Sequence, residues 1–293
     1  MKNSITIVTG AASGMGRYIA IQAAERGSQV IATDINESGL TETQMLAKAD
    51  EHEIQIRPLD VSNAADIQVF ADAVIPTLQN KKLFLINNAG VALAAGPFAA
   101  TPLPDFEWLL DVNLYGVIRL TKAFLPYMLA QNAGHVVNVS SIFGLGGVRF
   151  QSAYCTSKFG VHGFNEALRV ELFDTNIKVT SVHPGGVKTN IAENARMAGD
   201  YITLTDKIET AQKFAANART RPEDAARQIL DAAEKGQARL LIGIDAKFLA
   251  ALIRLLPVTY INLLRKISDQ VFGIPGKSRK ENFVVVPSGT HTE

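Results

Sequence analysis

Residues 4–16 read S-I-T-I-V-T-G-A-A-S-G-M-G, and the reading of this stretch decides the fold. Ser4 to Thr9 is a short apolar run rich in β-branched residues, which predicts a buried strand, and a helical pattern then opens and runs to about Arg26. Between the two lie Gly10, Ser13, Gly14, Met15 and Gly16. Glycines in a strand-to-helix turn let the backbone approach a ligand, and the free N–H groups of the helix start favour an anion such as a pyrophosphate. The spacing is G-x-x-x-G-x-G rather than the commoner dinucleotide pattern G-x-G-x-x-G, so the turn taken alone also fits a structural role.

Working outward, a second strand, Gln29 to Thr33, ends at Asp34, where a dinucleotide fold places the acid that reads the adenosine ribose. A carboxylate there accepts from both ribose hydroxyls and repels a 2′-phosphate. No arginine or lysine immediately precedes Gly14 or follows Asp34, so NAD is the expected cofactor. Helix Glu37 to Asp50, strand Ile54 to Pro58, helix Ala64 to Leu78 and strand Leu83 to Ile86 continue a βαβα alternation. That alternation predicts a doubly wound parallel sheet with helices on both faces. Asp60 and Val61 fall at the carboxyl end of the third strand, and Asn87, Asn88, Ala89 and Gly90 at the end of the fourth, where such sheets meet adenine and ribose. Asn87 and Asn88 serve equally well as turn residues tying strands together.

Two long helices come next, Phe106 to Ala130 and Ala153 to Asp174, bracketing a strand from His135 to Ser141. In the first, Asn113 stands among Leu110, Val112, Leu114 and Val117, and a buried amide needs a partner. In the second, Tyr154 and Lys158 share one helical face, one turn apart. An ammonium there would favour phenolate; bringing a phenol from about 10 to about 7 takes roughly 4 kcal/mol, the size expected of one lysine together with an oxidised nicotinamide ring. Such a group would serve as a general base. Tyr-x-x-x-Lys by itself is a weak signal, and its weight comes from the company it keeps.

After a strand from Lys178 to Val182 come His183, Pro184, Gly185, Gly186, Val187, Lys188 and Thr189. Residues Asn190 to Ala218 are polar, alanine-rich and without a strong apolar stripe, as a lid over a cleft would be. Pro222 to Glu234 reads as a helix and Arg239 to Ile244 as the last strand. The division expected is a catalytic and cofactor-binding unit over 1–244 and an extension over 245–293. In the extension, two amphipathic helices flank Pro257, and Phe283 to Pro287 offers an edge strand within a loose tail. Covering the core or a subunit contact is the leading expectation for those helices, ahead of peripheral membrane contact and of a wall to a substrate tunnel. Arg254, Arg265 and Lys266 argue against a span.

Composition narrows the classes further. A net charge of +1 gives no basic field for nucleic acid, so none is expected as a partner. Cys155 is the single cysteine, which excludes an internal disulfide and a multi-cysteine metal site; no metal is expected, and a cytoplasmic location is. His135 and His162 lack ligand-like spacing and read as structural.

Together, Thr9-Gly10-x-x-x-Gly14-x-Gly16, Asp60-Val61, Asn87-Asn88-Ala89-Gly90, Asn113, Ser141, Tyr154-x-x-x-Lys158 and Pro184-Gly185 resemble the short-chain dehydrogenase/reductase family, in order and in spacing, over about Ile5 to Gly243. The resemblance implies a Rossmann-type α/β fold of about seven strands. It implies Tyr154 as general acid/base, Lys158 lowering its pKa and holding the nicotinamide ribose, and Ser141, not Ser140, polarising the substrate carbonyl. Asn113 would hold a water linking Lys158 to solvent. Val187 and Thr189 would meet the carboxamide, and Asp60, Val61 and Ala89 the adenine. A homodimer or homotetramer through the two long helices is implied as well. The apolar character of Val91, Ala92, Leu93, Phe143, Leu145 and Val148 points to a hydrophobic secondary alcohol or its ketone as substrate. A 3-oxoacyl-thioester reductase and a catalytically silent NAD-binding regulator are the alternatives.

Overall fold

The computed structural model describes residues 1–49 and 52–271. The strand expected at Phe283 to Pro287 lies outside the described residues. Seven strands, β1 (Ser4–Thr9), β2 (Gln29–Asp34), β3 (Ile54–Pro58), β4 (Lys82–Asn87), β5 (Gly134–Val139), β6 (Ile177–Pro184) and β7 (Arg239–Ile242), form one sheet. Its order is β3-β2-β1-β4-β5-β6-β7, and every pairing is parallel.

Helices α1 (Gly14–Glu25), α2 (Glu37–Ala49) and α8 (Pro222–Glu234) cover one face, where Ile19, Ala23, Leu40 and Ile229 pack with Val8, Val30, Ile86 and Val137. Helices α3 (Ala64–Val74), α5 (Gly116–Gln131) and α6 (Ser152–Glu171) cover the other, where Phe70, Leu120, Phe124 and Leu168 meet Ile5, Ile7, Leu85 and Val136. Successive residues of β1 thus serve opposite cores, Ile7 one and Val8 the other, and all six residues of the strand are buried. Strand order reverses between β1 and β4, so their connections leave on opposite faces and a crevice opens at their carboxyl ends.

Three departures from the sequence reading bear on the site. The first long helix is not continuous: α4 (Leu103–Leu110) passes into α5 through a π-turn, Asp111–Tyr115, which contains Asn113. The segment expected as a lid contains α7 (Leu204–Asn217), begun by a capping box between Thr203 and Asp206. Ahead of it Arg196–Met197 pair with Leu93–Ala94 as a short parallel ribbon.

The last strand stops at Ile242, because Gly243 takes a positive φ of 95° and caps α9 (Ile244–Leu255). Helix α9 and the following α10 (Tyr260–Val271) lie on the loop after Ser141. There the Tyr260 hydroxyl accepts from Gly147 N–H at 3.2 Å, and a Cβ on Gly146 would stand 2.8 Å from Ile253 Cδ1. Among the described residues no helix is long and apolar enough to cross a membrane.

Candidate active site

The crevice is built on contacts that leave no room for side chains. Gly10 and Gly14 have φ of +68° and +54°, which only glycine adopts without strain. A Cβ on Gly10 would lie 2.8 Å from Ala89 Cα, one on Gly16 would run into the Gly10 carbonyl, and one on Gly14 would sit 3.2 Å from Thr189 Cγ2. The Thr9 hydroxyl accepts from Asn88 N–H and Ala89 N–H, both at 3.0 Å. The Asn88 side chain donates to the carbonyls of Thr9 at 3.0 Å and Gly10 at 3.3 Å. Of the two readings of Asn88, the geometry shows the tie between strands. Ser13, extended and exposed, precedes α1 without a side-chain cap, and no acid stands in the first turn, so the first N–H groups are left for an anion. Met15 packs partly buried against the core behind them. This donor set fits a dinucleotide pyrophosphate.

At the end of β2, Asp34 Oδ2 accepts from Ala12 N–H at 3.0 Å and Oδ1 from Asn36 N–H at 2.9 Å. Each oxygen keeps further acceptor capacity for a ribose hydroxyl. Asp60 Oδ1 is occupied by the backbone and hydroxyl of Ser62, at 2.8 and 2.7 Å, and Val61 is buried. A Cβ on Gly116 would stand 2.9 Å from the Val61 carbonyl. On the opposite wall, Pro184 ends β6 and Gly185 N–H donates to Ile242 O at 2.9 Å. Val187 bridges to Thr220, and Thr189 N–H turns back to Val187 O at 2.8 Å.

The reacting groups converge between these walls. Gly90 faces Asn113 Oδ1 and Lys158 Nζ, each 3.4 Å from where its Cβ would be. Asn113 Oδ1 accepts from Val91 N–H at 2.8 Å, and Nδ2 donates to Val91 O at 2.9 Å and to Ser157 Oγ at 3.4 Å. The amide expected to hold a water is therefore engaged with the backbone of Val91 in the loop after β4. Ser140 is turned away, donating to Lys158 O at 2.7 Å, while the Ser141 hydroxyl accepts from Phe143 N–H at 3.1 Å and stands near enough to Tyr154 to favour its ionised form.

Lys158 Nζ donates to Val139 O at 3.0 Å and lies 5.7 Å from the Tyr154 ring centre. Burial pushes Lys158 down to about 8. Burial likewise drives Tyr154 up to about 12, outweighing the lowering by Ser141. The phenol expected to be acidified by its lysine is thus, in the protein's own environment, less acidic than in water. Burial is the largest cause, and the ammonium is engaged with the Val139 carbonyl.

Beneath this pair runs a buried polar chain that the sequence reading missed. Asn87 Nδ2 donates to Thr121 Oγ1 at 3.2 Å and to Asn138 Oδ1 at 2.7 Å; Asn138 Nδ2 donates to Asn165 Oδ1 at 2.6 Å; Asn165 Nδ2 donates to Ser181 Oγ at 3.0 Å. His183 closes the chain, with Nε2 2.9 Å from Ser181 Oγ and Nδ1 3.1 Å from Ser141 O. A carbonyl only accepts, so Nδ1 carries the proton and Nε2 accepts from Ser181. His183 is therefore neutral, consistent with burial holding it down at about 4. The chain holds the backbone of Ser141 from below. Two further residues were missed: Arg17, whose guanidinium reaches Ala12 O and is clamped by Glu42, and Asp245 of α9, whose Oδ2 accepts from Gly186 N–H at 2.6 Å.

A seven-stranded parallel sheet with a glycine turn at its switch point, and a Ser–Tyr–Lys–Asn cluster across the crevice, defines a nicotinamide-dinucleotide oxidoreductase. The short chain dehydrogenase family model matches residues 4–199, and the chain belongs to that family. It is 38% identical over 267 residues to a putative oxidoreductase SadH of Mycobacterium tuberculosis, covering 90% of this chain and 94% of that one. It is 33% identical over 282 residues to human estradiol 17-beta-dehydrogenase 11, covering 94% and 88%. A short-chain dehydrogenase/reductase from Burkholderia phymatum, solved in complex with NAD, superposes with a TM-score of 0.79 at 27% identity, over 90% of this chain and 96% of that one.

Proposed function

We propose that this protein is an NAD-preferring dehydrogenase that interconverts an apolar secondary alcohol and its ketone, with Tyr154 as the general acid/base. The observation that carries this reading is the Tyr154 phenol beside Ser141, with the Lys158 ammonium one turn further along α6 and 5.7 Å from its ring centre, in the crevice where β1 and β4 part. The dinucleotide, when bound, supplies the hydride acceptor and, in its oxidised form, a positively charged ring. Gly10, Gly14 and Gly16 would admit its pyrophosphate, Asp34 would take the adenosine ribose, and Asp60, Val61, Asn88, Ala89 and Gly90 would line the adenine side. Lys158 would hold the nicotinamide ribose; Pro184, Gly185, Val187 and Thr189 would border the nicotinamide.

Toward reduction the neutral phenol of Tyr154 is already the acid it must be. Toward oxidation it must fall from about 12 to about 7, roughly 7 kcal/mol of differential stabilisation. Lys158 is already present in that environment; a cationic ring about 5 Å away in a medium of effective dielectric about 20 would add about 3 kcal/mol, which shifts the phenol in the required direction by about half of that amount. Ser141 would hold the substrate oxygen against Tyr154.

The substrate class follows from the walls. Val91, Phe106, Trp108 and Tyr154 pack around buried Leu93 and Ala95, and Phe143 meets Tyr154 edge to face at 6.0 Å. Leu145, expected on this wall, lines instead the cleft under α9 with Phe159 and His162. Preference for NAD rests on Asp34 and on Glu42, which neutralises Arg17. The exposed Leu129 on α5, Phe159 and Val170 on α6 and Phe173 just beyond it support a homo-oligomer through these helices.

The test is NADH absorbance during incubation with NAD and secondary alcohols of increasing apolar size, repeated with NADP. Turnover that improves with apolar size and favours NAD is expected. Tight NAD binding with no turnover across the panel would make this a regulator instead, and faster turnover with NADP would sink the cofactor assignment.

A further inference from the structure

Helix α9 is apolar on two faces, and the fold uses only one. Ala246 and Leu249 are buried, with Ile253 against the Ser141 loop. Ile244, Phe248, Ala251 and Leu255 fall at helical spacing on a second stripe turned to solvent, and Ile244, Phe248 and Leu255 are 84%, 55% and 78% exposed. The stripe continues past α9 through Leu256 and Val258 to Ile261 and Leu263 on α10, all exposed. A contiguous apolar surface of this kind, on a helix pair at the edge of the fold, marks a contact.

The charges say what the contact is with. From Ala246 to Val271 the sequence holds Lys247, Arg254, Arg265 and Lys266 against a single acid, Asp269. Lys247 and Arg254 flank the apolar stripe. The nearest acid, Asp245, is engaged with the backbone of Gly186. A second copy docking through this face would set four basic residues against four, with the single Asp269 of each copy to answer them. An anionic lipid surface meets both features, apolar side chains entering the acyl boundary and cations on the headgroups, without a spanning segment.

We propose that α9 and α10 form a monotopic docking surface for anionic membranes. Tyr260 and Ile253 tie the same two helices to the loop after Ser141, so docking would bring the mouth of the crevice to the bilayer. The inference does not depend on the assigned reaction, because its readout is binding alone.

The experiment is flotation of the full chain with vesicles of phosphatidylcholine alone and of an equal mixture with phosphatidylglycerol, at low and high salt. Binding is expected to be at least tenfold stronger to the anionic vesicles and to weaken with salt, since each basic residue near the surface contributes roughly fivefold. Leu255→Asp with Val258→Asp, both in exposed positions, should abolish flotation while circular dichroism and NAD binding stay as in the wild type. Three results would overturn the proposal: no flotation, equal binding to both vesicle types, or binding that the double variant leaves intact. A wild-type oligomer that the double variant dissociates, without vesicle binding, would assign the face to a second copy.

Discussion

Two polar clusters lie at the carboxyl ends of the central strands, and they are built on opposite terms. In the lower one, Asn87, Asn138, Asn165, Ser181 and His183 are buried, and each passes a hydrogen bond to the next, leaving only Asn87 Oδ1 unpaired. In the upper one, burial pushes a phenol up to about 12 and an ammonium down to about 8. The lower cluster is satisfied as it stands; the upper is satisfied only when further charge arrives. A site kept short of its partners must be held in place by a scaffold that lacks almost none, and the His183 bond to Ser141 O is the joint between them.

The largest test of this contrast removes the reacting group. Tyr154→Phe should lower turnover by on the order of 10⁴-fold and leave NAD affinity within about twofold, because the phenol oxygen acts on the transition state rather than on the cofactor. Measured by NADH absorbance and by titration of the dinucleotide, an appreciable residual rate would remove Tyr154 from its role. The second test breaks the scaffold. Asn165→Leu leaves Asn138 Nδ2 without its acceptor and Ser181 Oγ without its donor, which should cost about 2–5 kcal/mol of stability by denaturant unfolding. A loss below about 1 kcal/mol would show that the chain is not held as tightly as its distances imply.

How much of this could be read from the sequence depended on whether a residue carries its meaning locally. The glycine turn, Asp34 and the Tyr154–Lys158 spacing do, because close approach, strand-end position and helical pitch are all local constraints. Asn138 and Asn165 do not: a lone asparagine in an apolar strand or helix signals an unmet need, and only the fold supplies its partner. Helix α7 was missed because its apolar stripe is weak, although Thr203 and Asp206 carry the three-residue offset of a capping box. The π-turn at Asn113 has no sequence signature, since it depends on the pull of the Val91 backbone from across the crevice. The rise that burial alone imposes on Tyr154 is not legible for a related reason: spacing predicts neighbours, whereas desolvation depends on everything packed around them.

The upper cluster also has a pH signature. Lys158 titrates near 8 in the folded protein and at its ordinary 10.5 in the unfolded chain, so between those values the unfolded state holds the extra proton and stability rises with pH. Lys158→Met removes the linkage. Wild-type stability relative to that variant should therefore improve by about 3 kcal/mol, to order of magnitude, from neutral pH to about pH 10. Parallel curves for the two proteins would show that the ammonium is not desolvated as the structure places it.

The smallest expected effect falls at the adenosine end, where the contrast between paired and waiting charges is repeated on the surface. Arg17 reaches the carbonyl of Ala12, the residue whose N–H is held by Asp34, so its guanidinium stands beside the place a 2′-phosphate would take. Two hydrogen bonds to Glu42, at 2.9 and 2.6 Å, keep it occupied, and they hold the Glu42 carboxyl below its ordinary pKa. Glu42→Gln keeps the shape and removes the charge, freeing Arg17 to meet a phosphate. The ratio of kcat/KM for NAD over NADP should fall by about fivefold to tenfold, and further when Asp34→Ala removes the repelling carboxylate. Both cofactors titrated against both variants decide the point: a ratio that moves with Asp34→Ala and not with Glu42→Gln leaves discrimination to the ribose-reading acid alone, and Arg17 would then be a structural tie between α1 and α2.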